Sequence, residues 1–359
     1  MASSNIDFAR NISLSQCIKL IKNVSDKATV LVQGHMGSGK SSMFKMLMKQ
    51  LPGYHGGYFD MSNLDLGDLM LPAVQHEHRE TEFYPNSLFG MRLGDVPHVY
   101  MFDEFGKAAR PLQNAVLPVM LERRVGTRKL HPASLIFATT NLGSEGVGDT
   151  LQAHSRNRMI VVTMRKPTAD EWIEHFAIDN DIMPEMIAWV RETPQVMQGF
   201  EDVEKPEDNP YIFHPKTKRE AFVTARSLEK ASDILKKREF MEEDTVLHAL
   251  KGTVGERGAL DLRSFIALAD KLPAWRSVIA DPKGCPVPTN PAAIIMLVFT
   301  AVARIEAETI TPWMTYLKRI PKEAQAVFCY NAMKSAAKAP IVALNKSFTQ
   351  YAIDHQYLY

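Results

Sequence analysis

The sequence predicts an α/β fold with a mostly parallel sheet, followed by regions that are helical throughout. Short apolar runs alternate with helix-like stretches from residue 12 to residue 165, which is the pattern of parallel strands joined by helices. After Pro167 only helical patterns appear, and four prolines between residues 281 and 291 indicate a linker. The predicted domains are therefore an α/β domain over 1–166, a helical domain over 167–280 and a helical extension over 281–359.

Five strands are predicted in the first domain because each is rich in β-branched or aromatic residues and is bounded by Gly, Pro, Asn or Asp. They cover residues 29–33, 57–60, 98–103, 134–139 and 159–164. Helices are predicted between them over 14–23, 41–50 and 107–123. The second domain is predicted to contain helices over 169–176, 184–191, 219–240, 243–251 and 260–272.

Composition excludes several classes of protein. The chain has 359 residues, of which 45% are hydrophobic and 23% charged, as in ordinary globular proteins. Its longest apolar run, residues 292–303, is shorter than the roughly 20 residues that span a bilayer, so no membrane association is expected. Three widely spaced cysteines and an N-terminus without a signal-peptide pattern favour a cytoplasmic location. A net charge of +1 provides no overall positive electrostatic field that would attract nucleic acid.

The strongest motif follows the first long strand. Residues 34–41 match G-x-x-x-x-G-K-[ST] in full, and a helical run follows them. In such a loop, glycines let backbone N–H groups point at phosphates, and the helix N-terminus adds a positive dipole end. The predicted phosphate-binding residues are Gly34, His35, Met36, Gly37, Ser38, Gly39, Lys40, Ser41 and Ser42. We expect Lys40 to reach the β- and γ-phosphates and Ser41 to ligate Mg²⁺.

A second motif consists of an apolar strand, residues 99–102, which ends in Asp103 and Glu104. Asp103 is predicted to hold Mg²⁺ through its water shell opposite Ser41, and Glu104 to polarise the attacking water. An Asp-Glu pair at a strand end is also common as a plain surface turn. Its combination with the phosphate-binding loop is what favours the catalytic interpretation.

The choice between ATP and GTP rests on a third motif. Residues 103–106 also fit the D-x-x-G motif of GTPases. A GTPase would carry N-K-x-D as well, whereas Asn345 and Lys346 are followed by Ser347 and Phe348. The predicted cofactors are therefore ATP and Mg²⁺.

Three further segments resemble landmarks of the AAA+ ATPases. Residues 136–141 resemble the sensor 1 strand, with Asn141 as the polar residue that helps to position the lytic water. Residues 151–159 resemble the arginine-finger segment, in which Arg158 matches the finger best and Arg156 is the second candidate. Residues 224–229 resemble the sensor 2 helix, and Arg226 would then reach the γ-phosphate of its own subunit.

Other features resemble the MoxR branch of this superfamily, which includes the dynein-related and CbbQ/NorQ-like proteins. They are the segment at 59–71, a hairpin inserted near 76–85 and a hairpin at 122–133 that turns at Gly126. The resemblance covers roughly residues 12 to 270. It implies a P-loop NTPase (AAA+) parallel sheet with an all-helical lid and a helical C-terminal extension.

The same resemblance implies a role as well as a fold. Members of the branch hydrolyse Mg-ATP in a homo-oligomeric, hexameric ring and remodel a protein client, in many cases with an adaptor that carries a von Willebrand factor A domain. Two alternatives stay open: a DNA-directed motor similar to McrB or to helicase loaders, and a nucleotide-dependent regulatory subunit with low turnover. The local basic clusters at 123–129 and 216–219 would serve DNA, although such runs are more often solvated faces.

Overall fold

The computed structural model describes residues 11–92, 96–142 and 156–355. The chain divides into two compact units, Met1–Lys166 and Pro167–Tyr359. The first part of the predicted arginine-finger segment, residues 151–155, lies outside the described residues. In the part of the chain that is described, no helix is long and apolar enough to cross a lipid bilayer.

A parallel sheet organises the first unit. The strands of this unit are β1 (Asn11–Ile12), β2 (Val30–Gly34), β3 (His55–Asp60), β4 (Met70–Gln75), β5 (Glu80–Pro85), β6 (His98–Asp103), β7 (Arg124–Val125), β8 (Arg128–Lys129), β9 (Leu135–Asn141) and β10 (Ile160–Met164). Six of them form one sheet in the order β1-β10-β2-β9-β6-β3, and every neighbouring pair is parallel. Strands β6 and β9 are buried along their whole length, as expected for a sheet that is covered on both faces.

The helices of the first unit are α1 (Leu14–Val24), α2 (Ser42–Gln50), α3 (Leu66–Leu69) and α4 (Arg110–Glu122). Helix α1 begins after Ser13, whose side chain and backbone form a capping box with Gln16. The helix predicted over 107–123 instead begins at Arg110, because residues 105–107 form a 3-10 turn. It ends at Arg123, which has a left-handed backbone with φ of 57°.

Two antiparallel hairpins project from this unit. Strands β4 and β5 pair from Met70 with Pro85 to Gln75 with Glu80, so this hairpin begins six residues before the predicted insertion at 76–85. Strands β7 and β8 pair on either side of Gly126, where the second hairpin was predicted. Strand β4 of the first hairpin carries exposed apolar side chains, with Leu71 and Val74 each 61% exposed.

The second unit is helical. Its helices are α5 (Ala169–Trp172), α6 (Pro184–Glu192), α7 (Ala225–Lys236), α8 (Glu243–Ala269), α9 (Trp275–Ala280), α10 (Pro291–Arg304), α11 (Ile310–Leu317), α12 (Lys322–Lys334), α13 (Ala339–Ala343) and α14 (Lys346–Asp354). A π-helical turn, Ile173–Ala177, continues α5. The helix predicted over 219–240 begins only at Ala225, because Thr224 and Ser227 form a capping box there.

The span of α8 holds two helices that meet at a kink, because the backbone of Gly255 is not helical. This agrees with the two helices predicted over 243–251 and 260–272. Two clusters of buried residues fill the unit, one around Trp189 and Leu228 and the other around Trp313 and Phe328. The domain boundary at residue 281 stays a prediction.

The predicted fold class is confirmed. The chain has a six-stranded parallel sheet flanked by helices, followed by a helical C-terminal region.

Candidate nucleotide site

The phosphate-binding loop connects β2 to α2 at the carboxyl edge of the sheet. Gly34 ends β2 and is in register with Met164 on one side and with Asn141 on the other. A Cβ at Gly34 would lie 2.8 Å from the Met164 carbonyl oxygen, so the close packing of the strands requires glycine. Gly37 and Gly39 have φ of 68° and 94°, which glycine adopts at little cost, and the loop can therefore curl.

Lys40 lies inside this loop. Its side chain is buried, and Nζ donates to the carbonyl oxygens of Gly34 at 2.6 Å and His35 at 2.7 Å. The Ser38 hydroxyl donates to the His35 carbonyl at 2.8 Å, which closes the turn. An ammonium group surrounded by loop backbone next to a helix N-terminus favours a bound anion.

Ser41 and Asp103 lie next to each other. The Ser41 hydroxyl donates a hydrogen bond of 2.7 Å to Oδ2 of Asp103, at the end of β6. Tyr58, on β3, donates to the same oxygen at 2.7 Å. Burial first, and then the hydrogen bond to Asp103, raises the pKa of the Tyr58 phenol. Tyr58 was not among the predicted site residues, because only the pairing of β3 with β6 places it here.

The other carboxylate oxygen of Asp103 is also occupied. Oδ1 accepts hydrogen bonds from the Thr139 hydroxyl and, at 3.1 Å, from the backbone N–H of Glu104. That N–H also lies 3.2 Å from Oγ1 of Thr139. Asp103 is only 4% exposed, so these donors fix the orientation of a buried carboxylate. The polar end of the predicted 134–139 strand is the sequence signal that points to Thr139.

Glu104 follows Asp103 in a backbone conformation that is unusual for its residue type. Its φ and ψ are 53° and 35°, in the left-handed region. Such a conformation costs roughly 1–3 kcal/mol for a residue other than glycine and is concentrated at functional sites. The Glu104 side chain is half-buried and accepts a 2.7 Å hydrogen bond from Lys107.

The remaining predicted site residues lie in three places. Asn141 is buried at the end of β9 and pairs with Gly34, beside the loop. Arg156 donates to Oε1 of Gln33 on β2 at 3.2 Å. Arg158 is exposed and makes no hydrogen bond or ion pair with any described residue. Arg226 belongs to the second unit, where it is exposed on the first turn of α7.

The donor set suits magnesium. Ser41 and Asp103 offer a hydroxyl and a carboxylate, and Mg²⁺ is commonly bound by one or two such oxygen ligands together with phosphate and water. Within residues 11–92, 96–142 and 156–355, no group of three or more His, Cys, Asp or Glu side chains forms a separate metal site. Two protein oxygens do not complete the coordination of Mg²⁺, so an ion held by Ser41 and Asp103 would also need phosphate and water.

No protein-family model matches the chain, and no curated protein is similar to it in sequence. Among solved structures, the RuvB Holliday junction branch migration motor of Thermotoga maritima has 13% identity and a TM-score of 0.35, with 85% of this chain and 86% of that chain covered. NtrX from Brucella abortus, in complex with ADP, has 14% identity and a TM-score of 0.33, with 98% of this chain and 70% of that chain covered. Likeness at this level carries no argument about activity. The sheet order and the loop geometry by themselves define the fold as that of a P-loop NTPase.

Proposed function

We propose that this chain is an AAA+ ATPase that hydrolyses Mg-ATP. The observation that carries the proposal is the 2.7 Å hydrogen bond between Ser41, at the end of the phosphate-binding loop, and Asp103, at the end of β6. These residues lie 62 positions apart in the chain, yet the fold joins them. If the glycine-rich turn and the acidic turn were unrelated surface features, they would not be expected to lie in contact. Their pairing therefore favours a metal-nucleotide site.

Each residue of the site has its own proposed role in hydrolysis. The loop N–H groups and Lys40 bind the phosphates, while Ser41 and Asp103 would hold Mg²⁺. The metal, when bound, neutralises charge on the β- and γ-phosphate oxygens. Glu104 orients the attacking water and accepts its proton, and Asn141 lies beside Gly34 to assist in placing that water.

An arginine finger from a neighbouring copy completes the proposed site. Arg158 is exposed, whereas Arg156 is bonded to Gln33 of its own subunit, and Arg158 is therefore the better candidate. A finger stabilises charge on the transferring phosphoryl group and is worth about 10³–10⁵ in rate. A finger that acts on a neighbouring copy predicts a homo-oligomer, which we propose to be a hexameric ring.

The contacts that the basic residues make favour a protein client over DNA. In the first basic cluster, Arg123 donates to the backbone oxygens of Ser134 and Ser25, and Arg124 and Arg128 form ion pairs with Glu122 and Glu82. In the second cluster, Arg219 donates to the backbone oxygens of Asn209, Ile212 and Pro206. These arginines are engaged within the fold, whereas Lys129, Lys216 and Lys218 are exposed, so only part of each cluster could neutralise phosphates. We therefore propose the MoxR-type role of remodelling a protein partner, with an adaptor that carries a von Willebrand factor A domain as the expected kind.

Two substitutions test the activity. Lys40→Ala should abolish Mg-ATP binding, because it removes the cation from the loop. Glu104→Gln should keep binding and lower turnover by about 10²–10⁴-fold, the usual contribution of a general base. Lys45→Ala is the matched control, because Lys45 is exposed on the same helix, α2. Binding is measured by equilibrium dialysis and turnover by phosphate release. Wild-type protein that binds no Mg-ATP would refute the proposal.

The assembly is tested separately. Glu104→Gln protein is measured by light scattering with and without Mg-ATP, since this variant should accumulate in the ATP-bound state. A discrete mass of six chains supports the ring, and a monomer at micromolar concentration with bound ATP would contradict it. If double-stranded DNA strongly stimulates turnover, and salt steeply reduces that stimulation, the DNA-directed alternative replaces the protein client.

A further inference from the structure

The proposed base, Glu104, has a cationic neighbour in its own turn. Lys107 Nζ lies 2.7 Å from Oε2 of Glu104. Oε1 of the same carboxylate accepts no hydrogen bond from any residue that the structure describes. One oxygen of the base is thus bound by an ammonium group, and the other is available to a water molecule.

The backbone that carries this pair is fixed at several points. The Glu104 N–H donates to Thr139 and to Asp103, and the Glu104 carbonyl accepts from the N–H of Lys107 at 2.9 Å. Phe105 is fully buried between the two residues and packs in the core. The turn is therefore rigid, and the remaining freedom of Glu104 lies in its side-chain torsions, which the contact with Lys107 restricts.

The competing carboxylate near Lys107 is already satisfied. Asp60 lies opposite Asp103 in the strand register, and its oxygens accept from the hydroxyl of Ser62 at 2.7 Å and from the amide of Asn63 at 2.7 Å. Asp60 is thus engaged without Lys107, whose ammonium makes its ion pair with Glu104.

The pair is poorly suited to a purely stabilising role. The side chains of Lys107 and Glu104 are 28% and 33% exposed, and ion pairs screened by water contribute little to folding. Catalytic bases, in contrast, are commonly oriented by a third group that binds the atom not used in catalysis. Lys107 binds one carboxylate oxygen of Glu104 and leaves the other available to water, which fits that arrangement.

We propose that Lys107 is a positioning residue for hydrolysis, which fixes Oε2 of Glu104 so that Oε1 faces the attacking water. The inference rests on the proposed ATPase function. In this role Lys107 makes no contact with the nucleotide. Removal of its ammonium group should therefore change kcat and leave the KM for ATP unaltered.

The test compares Lys107→Met, Lys107→Arg and the control Lys19→Met, which removes the same charge from an exposed position on α1. Lys107→Met should keep the KM within about twofold and lower kcat by about 10- to 100-fold, the scale of a misplaced catalytic group. Lys107→Arg should restore much of the rate, because a guanidinium also donates to the carboxylate. Lys19→Met should match the wild type.

A double-mutant cycle gives a readout that a purely structural role would not produce. In the Glu104→Gln background, Lys107→Met should cause no further loss of kcat, because Lys107 acts through Glu104. The inference is overturned if Lys107→Met has the wild-type kcat or a higher one. It is also overturned if the losses in the cycle are additive, or if the Met and Arg variants turn over at equal rates. A thermal unfolding midpoint well below that of Lys19→Met would also overturn it in favour of a structural role. If the wild type itself hydrolyses no ATP, the proposed function fails too, whereas a wild-type rate in Lys107→Met refutes only the role of Lys107.

Discussion

The phenolic oxygen of Tyr58 lies 2.7 Å from Oδ2 of Asp103, the oxygen through which Asp103 would face a magnesium ion. Ser41 donates to that oxygen as well, so two hydroxyl groups share one acceptor. Tyr58 is 38% exposed and packs against the ring of Phe44 at a centroid distance of 5.6 Å. Its hydroxyl can therefore leave the carboxylate for water when a ligand needs the oxygen.

Tyr58→Phe should make Mg²⁺ bind more readily, because the phenol competes with the water shell of the ion for Asp103. A net hydrogen bond of about 0.5–1.5 kcal/mol corresponds to a roughly two- to tenfold lower Mg²⁺ concentration at half-maximal turnover. The measurement is a Mg²⁺ titration of phosphate release at fixed ATP. Tyr84→Phe, which removes an exposed phenol from β5, is the control. A higher Mg²⁺ requirement in Tyr58→Phe would show that the phenol supports the site instead.

Arg158 and Arg156 should behave differently when they are removed. Arg158→Ala should keep ATP binding and lose about 10³-fold or more in turnover, because no other described group replaces a finger. Arg156→Ala should lose less, since its bond to Gln33 indicates a role within its own subunit. Both are measured by ATP binding and by phosphate release. Equal and mild effects of the two variants would exclude a finger in this segment.

Mixing two variants tests whether Arg158 acts on the nucleotide site of a neighbouring subunit. Arg158→Ala and Glu104→Gln proteins are each inactive for a different reason, and a mixed ring would place an intact Glu104 next to an intact Arg158. Partial recovery of turnover on mixing supports action in trans. A mixture that stays inactive although the chains co-assemble would contradict it.

Arg123 should prove to be a structural residue in spite of its place in a basic cluster. It donates to the backbone oxygens of Ser134 and Ser25 and thereby joins the end of α4 to neighbouring segments of the core. Arg123→Ala should lower the free energy of unfolding by roughly 2–4 kcal/mol, because the charged hydrogen bonds to two backbone carbonyls are lost. Denaturant unfolding measures this. Arg124→Ala, which removes an exposed partner of Glu122, should change it by less than about 1 kcal/mol.

The positions that could be predicted from sequence are those whose geometry is local. Residues 34–41 form their loop from three closely spaced glycines, one lysine and two serines. Strand β6 spans the predicted His98–Asp103 because its apolar run ends abruptly at two carboxylates. The capping box that Thr168 and Glu171 form at the start of α5 is local in the same way, because its two residues are three positions apart. In each case, neighbours along the chain determine the conformation.

The residues that could not be predicted depend on strand register or on distant packing. Tyr58 and Thr139 reach Asp103 only because β3 and β9 flank β6, and nothing near them in sequence reports that order. Strand β1 has two residues and owes its existence to pairing with β10, so it carries no periodicity of its own.

The break inside α8 yields a prediction about two glycines three residues apart. Gly255 has φ of 81° and ψ of 167°, a region that is essentially restricted to glycine, and a Cβ there would lie 2.8 Å from the carbonyl oxygen of Ala221. Gly255→Ala should therefore destabilise the protein by at least about 2 kcal/mol, from backbone strain together with displacement of a neighbouring segment. At Gly252 a Cβ would meet nothing within 4 Å, so Gly252→Ala should stabilise the helix by roughly 0.5–1 kcal/mol. Denaturant unfolding of the two variants distinguishes the sites, and a tolerated alanine at Gly255 would mean that the break is not needed for packing.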